Sequence, residues 1–120
     1  SDQISSPTNS LDLSFAIWEI LKKFSIKKIN YDLPEIIHFS NKGIASWFDL
    51  AKEIIEISYS NRIINKKVKL NPIGSKNLKT LARRPAYSKL DCEETYNLLN
   101  SHPPRWQDSI KAYLKYPYKF

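Results

Sequence analysis

The run Ala82-Arg83-Arg84-Pro85-Ala86-Tyr87-Ser88 holds two adjacent guanidiniums, half of the four arginines in the chain. A guanidinium presents a planar fork of donors that engages a phosphate or carboxylate at two points, which a lysine ammonium does less well. The proline after Arg84 biases that residue toward extended backbone, so the pair reads as an anion site on a loop. A solvated loop, or an ion pair with a helix terminus, fits the dipeptide equally well. A second candidate is Asp2-Gln3 followed by Ser5-Ser6-Pro7-Thr8, where amide and hydroxyl groups precede a helix start. Anions and sugar hydroxyls are readily held at such a place.

Other reactive side chains do not assemble into a site. His38 stands in the apolar run Ile36-Ile37-His38-Phe39 and is expected in the core, whereas His102 beside Pro103 reads as a surface turn residue. Two distant histidines and the single Cys92 do not give metal-ligand spacing. A nucleophile with an adjacent base cannot be picked out. Trp18, Trp47 and Trp106 fall at helical apolar positions and are expected in the core rather than on a stacking platform. The pattern supports a ligand-binding lobe better than a complete catalytic site.

Composition bounds what could carry these residues. At 120 residues the chain is one domain, spanning 1–120, or a piece of something larger. It has only two glycines, Gly43 and Gly74, which rules out both a dinucleotide fingerprint and a phosphate-binding P-loop. With 42% hydrophobic and 26% charged residues it is expected to fold. The formal charge of +7 comes mainly from 15 lysines, accompanied by 15 isoleucines and 9 asparagines, a bias that an AT-rich coding sequence produces unaided. Scattered lysines serve solubility, and no basic-aromatic motif of a nucleic-acid module occurs, so nucleic acid is not expected as a partner. No apolar run reaches membrane-span length and no signal peptide is evident, so no membrane is expected either. Together with the lone cysteine, this points to a soluble cytoplasmic protein.

The elements that must position the candidates follow from caps and periodicity. A helix is expected from a cap at Thr8, Asn9 or Ser10 to about Phe24, and its polar stripe is only Asp12, Glu19, Lys22 and Lys23. So apolar a helix is either sandwiched within the domain or turns one face to a partner. After a polar linker containing Pro34, Ile36–Phe39 reads as a buried strand and Ser40–Gly43 as a loop. Ser46 with Asp49 forms a capping box ahead of a helix carrying Trp47, Leu50, Ala51, Ile54 and Ile55. Residues 61–67 form a basic turn, 68–73 alternate like a second strand, and 75–89 show no period. Asp91 and Glu94 suggest another capping box, and Pro103-Pro104 separates that helix from one with Trp106, Ile110, Tyr113 and Leu114. The tail from Tyr116 to Phe120 is aromatic and basic. The expected class is a small, mainly helical α/β lobe with four helices and two short strands, the strands parallel if joined by a crossover helix.

Five segments in order carry a resemblance: Asp2-Gln3-Ile4-Ser5-Ser6-Pro7-Thr8; Leu11-Asp12-Leu13; Ile37-His38-Phe39-Ser40-Asn41 with Gly43 and Ser46-Trp47; Arg83-Arg84-Pro85-Ala86-Tyr87-Ser88-Lys89-Leu90-Asp91; and Trp106-Gln107. Together they resemble the C-terminal, substrate-binding portion of the dTDP-4-dehydrorhamnose reductases, a family of extended short-chain dehydrogenase/reductases. One departure is Ser5, where the family usually places glycine. The resemblance implies reduction of dTDP-4-keto-rhamnose to dTDP-rhamnose, for surface polysaccharide, with NADPH or NADH bound by an N-terminal Rossmann lobe. It also implies that this lobe supplies a Tyr-x-x-x-Lys pair, since none of the seven tyrosines here is followed four residues later by lysine.

Carried over by position, Gln3, Ser6, Thr8 and Arg84 are the expected substrate-binding residues, with Arg84 on the diphosphate. Asp12 and Ser88 are expected to brace backbone, Ser46 to cap a helix and Trp47 to anchor the core. No residue of the chain itself is expected to be catalytic, and the isolated chain is expected to be inactive. The expected partners are a dTDP-sugar and the Rossmann lobe, which would cover the apolar first helix unless a homodimer does. The competing reading is a non-catalytic regulatory protein similar to the same family, like the regulatory subunit of methionine adenosyltransferase.

Overall fold

The computed structural model describes residues 1–26, 35–78 and 80–115, with 24–26 described by backbone alone. The linker with Pro34 and the aromatic tail from Tyr116 lie outside the described residues. In chain order the elements are strand β1 (Ile4–Ser5), helix α1 (Ser10–Ile26), strand β2 (Ala45–Ser46), helix α2 (Trp47–Ser60), a single 3-10 turn at Ser75–Asn77, helix α3 (Glu93–Leu99) and helix α4 (Trp106–Lys115). Four helices and two short strands agree with the expected class.

Asn9 starts α1: its side-chain oxygen accepts from the Leu11 N–H at 2.9 Å, and its carbonyl accepts the first helical bond from Leu13. Only one flank of this helix is covered. Ala16 is buried, whereas Phe15 is 68% and Trp18 59% exposed, and Ile17 and Leu21 also face out. Of the two possibilities for so apolar a helix, the structure shows the open face, and Trp18 is not a core residue. Residues four and seven apart repeat on one side of a helix, and with apolar residues on nearly every side the periodicity of α1 could not say which stripe is covered.

The expected capping box of α2 forms in full. The Asp49 N–H donates to Ser46 Oγ at 3.1 Å, and the Ser46 N–H donates to Asp49 Oδ2 at 2.9 Å. The Ser46 hydroxyl first, then its N–H, holds the Asp49 carboxyl below its ordinary value of 3.8. A carboxyl lowered in the folded state contributes stability that is fully present above the unfolded value and is lost as pH falls through the folded one. The melting temperature of the native protein is therefore expected to drop below about pH 4 more steeply than that of Asp49→Asn. Thermal scans between neutral and strongly acidic pH check this, and parallel pH profiles for the two proteins would contradict it.

The strands are not where the pattern placed them. Ile36–Phe39 is irregular: the His38 carbonyl accepts from Thr95 Oγ1, and the Ser40 carbonyl accepts from the Tyr96 hydroxyl at 2.9 Å. Side chains of α3 thus take the backbone acceptors that a ladder would have used. His38 is exposed, so the expected core histidine is corrected too, while His102 is exposed as expected and lies edge-on to the Tyr96 ring. Residues 68–73 are likewise irregular and, apart from half-buried Leu70, exposed. The observed pair is β1 with β2, antiparallel rather than parallel, with Ile4 opposite Ser46 and Ser5 opposite Ala45. The Asp91–Glu94 box is also replaced: α3 begins at Glu93, one residue later than a cap at Asp91 would require, and Asp91 Oδ1 accepts from the Glu93 N–H instead.

A small core of Ala16, Ala45, Ile57, Cys92, Tyr96 and Trp106 is stitched by buried polar groups. Asn41, 1% exposed, is their hub. Its Oδ1 accepts from the Asn9 N–H at 2.7 Å, and its amide donates to Asp12 Oδ2 at 2.7 Å, to Ser109 Oγ at 3.1 Å and to the Pro104 carbonyl at 3.2 Å. Asp12, expected to brace backbone, instead accepts from two side chains, the Asn41 amide and the Ser109 hydroxyl. The network fastens the start of α1 and the approach to α4 onto the 40–43 loop. There Gly43 has φ +96°, a backbone conformation that favours glycine, and a Cβ on it would also press on the Trp106 ring at 3.1 Å.

Candidate functional site

β1 brings the two candidate segments together. On one side it pairs with β2; on the other, the Ile4 N–H donates to the Ala86 carbonyl at 2.8 Å and the Ser88 N–H to the Ile4 carbonyl at 2.9 Å. The Ser88 hydroxyl reaches the same Ile4 carbonyl at 3.4 Å, so Ser88 braces backbone as expected. These bonds fix the Arg-Pro loop beside the N-terminal strand although more than eighty residues separate them in sequence.

The start of β1 is fixed by the 3-10 turn. Asp2 accepts from the Ser75 N–H at 2.9 Å and from the Ser75 hydroxyl at 2.8 Å, and those two bonds, the backbone one first, hold its carboxyl below 3.8. The Gln3 amide donates to Ser75 Oγ at 2.9 Å. Between these anchors opens a cavity of about 160 Å³ lined by Gln3, Ile4, Ser5, Trp47, Arg84, Pro85 and Ser88. Arg84 takes part in none of the ion pairs formed among the described residues, so its guanidinium is not neutralised by a neighbouring carboxylate.

Gln3 and Arg84 thus line one cavity. Ser6 and Thr8 do not join them there. Ser6 lines a separate cavity of about 160 Å³ beside Ser40–Gly43 and Cys92. Thr8, whose hydroxyl donates to the Ser6 carbonyl at 3.2 Å, lines a groove of about 430 Å³ between α2 and α4. Arg83 is exposed and lines none of these spaces.

Trp47 corrects the expectation of a core anchor: it is 60% exposed and lines both the Arg84 cavity and the Thr8 groove. Its position as the first residue of α2 is the reason, because a side chain there leaves from the helix end and not from the stripe that Ile57 buries. The residues 47, 50, 51 and 54 share a helical period, so spacing alone could not separate an end position from a core position. Trp106, by contrast, is buried as expected.

Chemically the cavity offers a cation, an amide and hydroxyls, groups suited to holding an anion. Among the described residues, no group of three or more His, Cys, Asp or Glu side chains could hold a metal ion. No helix among them is long and apolar enough to cross a membrane.

The model of the RmlD substrate binding domain matches residues 1–118. The chain belongs to the RmlD substrate-binding domain family. Over 111 residues it is 31% identical to a dTDP-4-dehydrorhamnose reductase of Sinorhizobium fredii, covering 92% of this chain and 36% of that protein. Among solved structures, a dTDP-4-dehydrorhamnose reductase of Clostridium acetobutylicum superposes with a TM-score of 0.75 at 26% identity, over 95% of this chain and 36% of that one. The Bacillus anthracis dTDP-4-dehydrorhamnose reductase, solved in complex with NADP, superposes with a TM-score of 0.71 at 29% identity, over 96% and 36%.

The resemblance drawn from the five motifs is therefore confirmed, and this RmlD substrate-binding domain spans about a third of the length of the relatives it matches. Its two glycines do not build a dinucleotide-binding turn. Gly43 packs on Trp106 and Gly74 lies beside Asp2, so neither belongs to the glycine-rich strand-to-helix turn that cradles a pyrophosphate.

Proposed function

We propose that this chain is the substrate-binding part of a dTDP-4-dehydrorhamnose reductase, and that the cavity between Gln3 and Arg84 receives the diphosphate of its dTDP-sugar. The observation that carries the reading is that Arg84, which forms no ion pair among the described residues, lines one cavity together with Gln3, in a lobe that superposes on reductases of this kind. Arg84 and Gln3 hold the ligand, and Ser6 and Thr8 line the adjoining spaces, where a ligand extending past β1 meets them.

In this reading the part of the relatives that the chain does not span supplies NADPH or NADH and the proton donor for reduction of dTDP-4-keto-rhamnose to dTDP-rhamnose. The open face of α1, with Phe15, Trp18 and Leu21, packs on that Rossmann lobe rather than on a second copy. The setting is cytoplasmic nucleotide-sugar synthesis for polysaccharide. Calorimetric titration of the full-length protein with dTDP-rhamnose tests the site. Saturable binding that weakens as salt rises is expected from a guanidinium on a diphosphate; absence of saturable binding would overturn the reading.

A further inference from the structure

Resting on that reading, we propose that Trp47 is the stacking wall of the site and carries the thymine ring of the ligand whose diphosphate lies at Arg84. Trp47 presents the largest apolar ring near the cavity, and it does so open to solvent, which apolar surface avoids unless something covers it. Its placement is rigid. The Ser46–Asp49 capping box fixes the first turn of α2, and the pairing of Ser46 with Ile4 fixes that turn against β1. The backbone that carries the indole is therefore set before any ligand arrives, which reduces the ordering that binding must impose.

Trp47 is shared by two spaces of different character. On one side lie Arg84 and Gln3, suited to an anion and its hydrogen bonds; on the other the groove wall continues along Leu50 and Ile54. A molecule that joins a diphosphate to a flat, weakly polar ring matches both. A base stacks on an aromatic face with little demand on its hydrogen-bonding edge, so one indole suffices to hold it.

The test uses the full-length protein and measures the affinity of dTDP and of dTDP-rhamnose for native, Trp47→Ala, Trp47→Phe and Arg84→Ala proteins, with melting temperatures alongside. Trp47→Ala is expected to weaken both ligands by about tenfold or more, the loss typical of a removed stacking side chain, and Trp47→Phe to stay within about threefold of native. Melting temperatures are expected to stay near native, since an exposed helix-end ring contributes little to folding. Native affinity in Trp47→Ala, with binding lost in Arg84→Ala, overturns this proposal and leaves the site standing. A loss for dTDP-rhamnose alone assigns the indole to the sugar and overturns the thymine assignment. A lowered melting temperature with unchanged affinity makes Trp47 a packing residue and also overturns it. If neither Trp47→Ala nor Arg84→Ala alters binding, the site reading fails as well.

Discussion

Arg84→Ala in the full-length protein is expected to weaken dTDP-rhamnose binding by about 100-fold, and Arg84→Lys to recover only part of that loss. Two charge-assisted hydrogen bonds from one guanidinium, at about 1.5–3 kcal/mol each when a charged group takes part, set an upper range that solvent exposure lowers to about the 2.7 kcal/mol of that factor. The expectation depends on two structural facts. Arg84 lines the same cavity as Gln3, and it forms no ion pair among the described residues, so its donors are available to a ligand. Lysine keeps the charge but not the fork, which is why it restores the long-range attraction without the two-point geometry. Calorimetry at low and high salt separates these contributions: the alanine variant should lose most of the salt dependence, and the lysine variant should keep it. Affinity unchanged in Arg84→Ala would remove the diphosphate from this cavity. Gln3→Ala should show a smaller loss, of several-fold, because a neutral amide contributes about 1 kcal/mol.

The largest effect on stability is expected at Asn41, where alanine should destabilise the protein by about 3–4 kcal/mol. The side chain is fully enclosed, accepts from the Asn9 N–H and donates to Asp12, Ser109 and the Pro104 carbonyl. Truncation leaves the Asn9 N–H and the Pro104 carbonyl without this partner and takes from Asp12 one of its two donors. The Asn9 N–H loses its side-chain acceptor, the Pro104 carbonyl keeps only the Lys42 N–H and Asp12 only the Ser109 hydroxyl; at about 1–3 kcal/mol for a polar group left without its partner, these linked losses arrive together. Asn41→Asp should be worse than alanine at neutral pH, since it sets a second carboxylate against Asp12 where an amide donor stood. Chemical denaturation curves measure both. A shift below about 1 kcal/mol for the alanine variant would show that water substitutes for the amide and that Asn41 is not the hub the geometry describes.

Helices were the legible part of this fold, and for a local reason. A cap and the turn it serves lie within four residues, so Ser46 with Asp49 could be read directly and formed as read, and Asn9 was among the three caps considered for α1. The Asp91–Glu94 pair shows the limit of the same logic, because the spacing is right but the helix starts one residue late, after Cys92. Strands were not legible. A strand exists through its partner, and the β1–β2 pair joins Ile4-Ser5 to Ala45-Ser46, two residues on each side with no alternation to announce them. The apolar run 36–39 and the alternating segment 68–73 have no ladder partner among the described residues.

At the site, the Arg-Pro loop and Gln3 were visible as residue types suited to anions, and the structure brings them to one cavity. Ser6 and Thr8, close to Gln3 in sequence, line other spaces because the chain leaves β1 and turns into α1 between them. Trp47 was visible but misread, since an aromatic at a helix start has the same period as one in the core. Asn41 carried no local signal of its role: its partners lie 29 to 68 residues away, beyond the reach of any pattern in a short window.

The most direct measurement of the central claim is NADPH oxidation in the presence of dTDP-4-keto-rhamnose, run in parallel on the full-length protein and on the 120-residue chain. The chain contributes binding groups but no cofactor turn and no Tyr-x-x-x-Lys pair, so turnover is predicted for the full-length protein and none for the chain alone. Turnover by the 120-residue chain, or a full-length protein that neither turns over nor binds dTDP-sugar, would contradict the account.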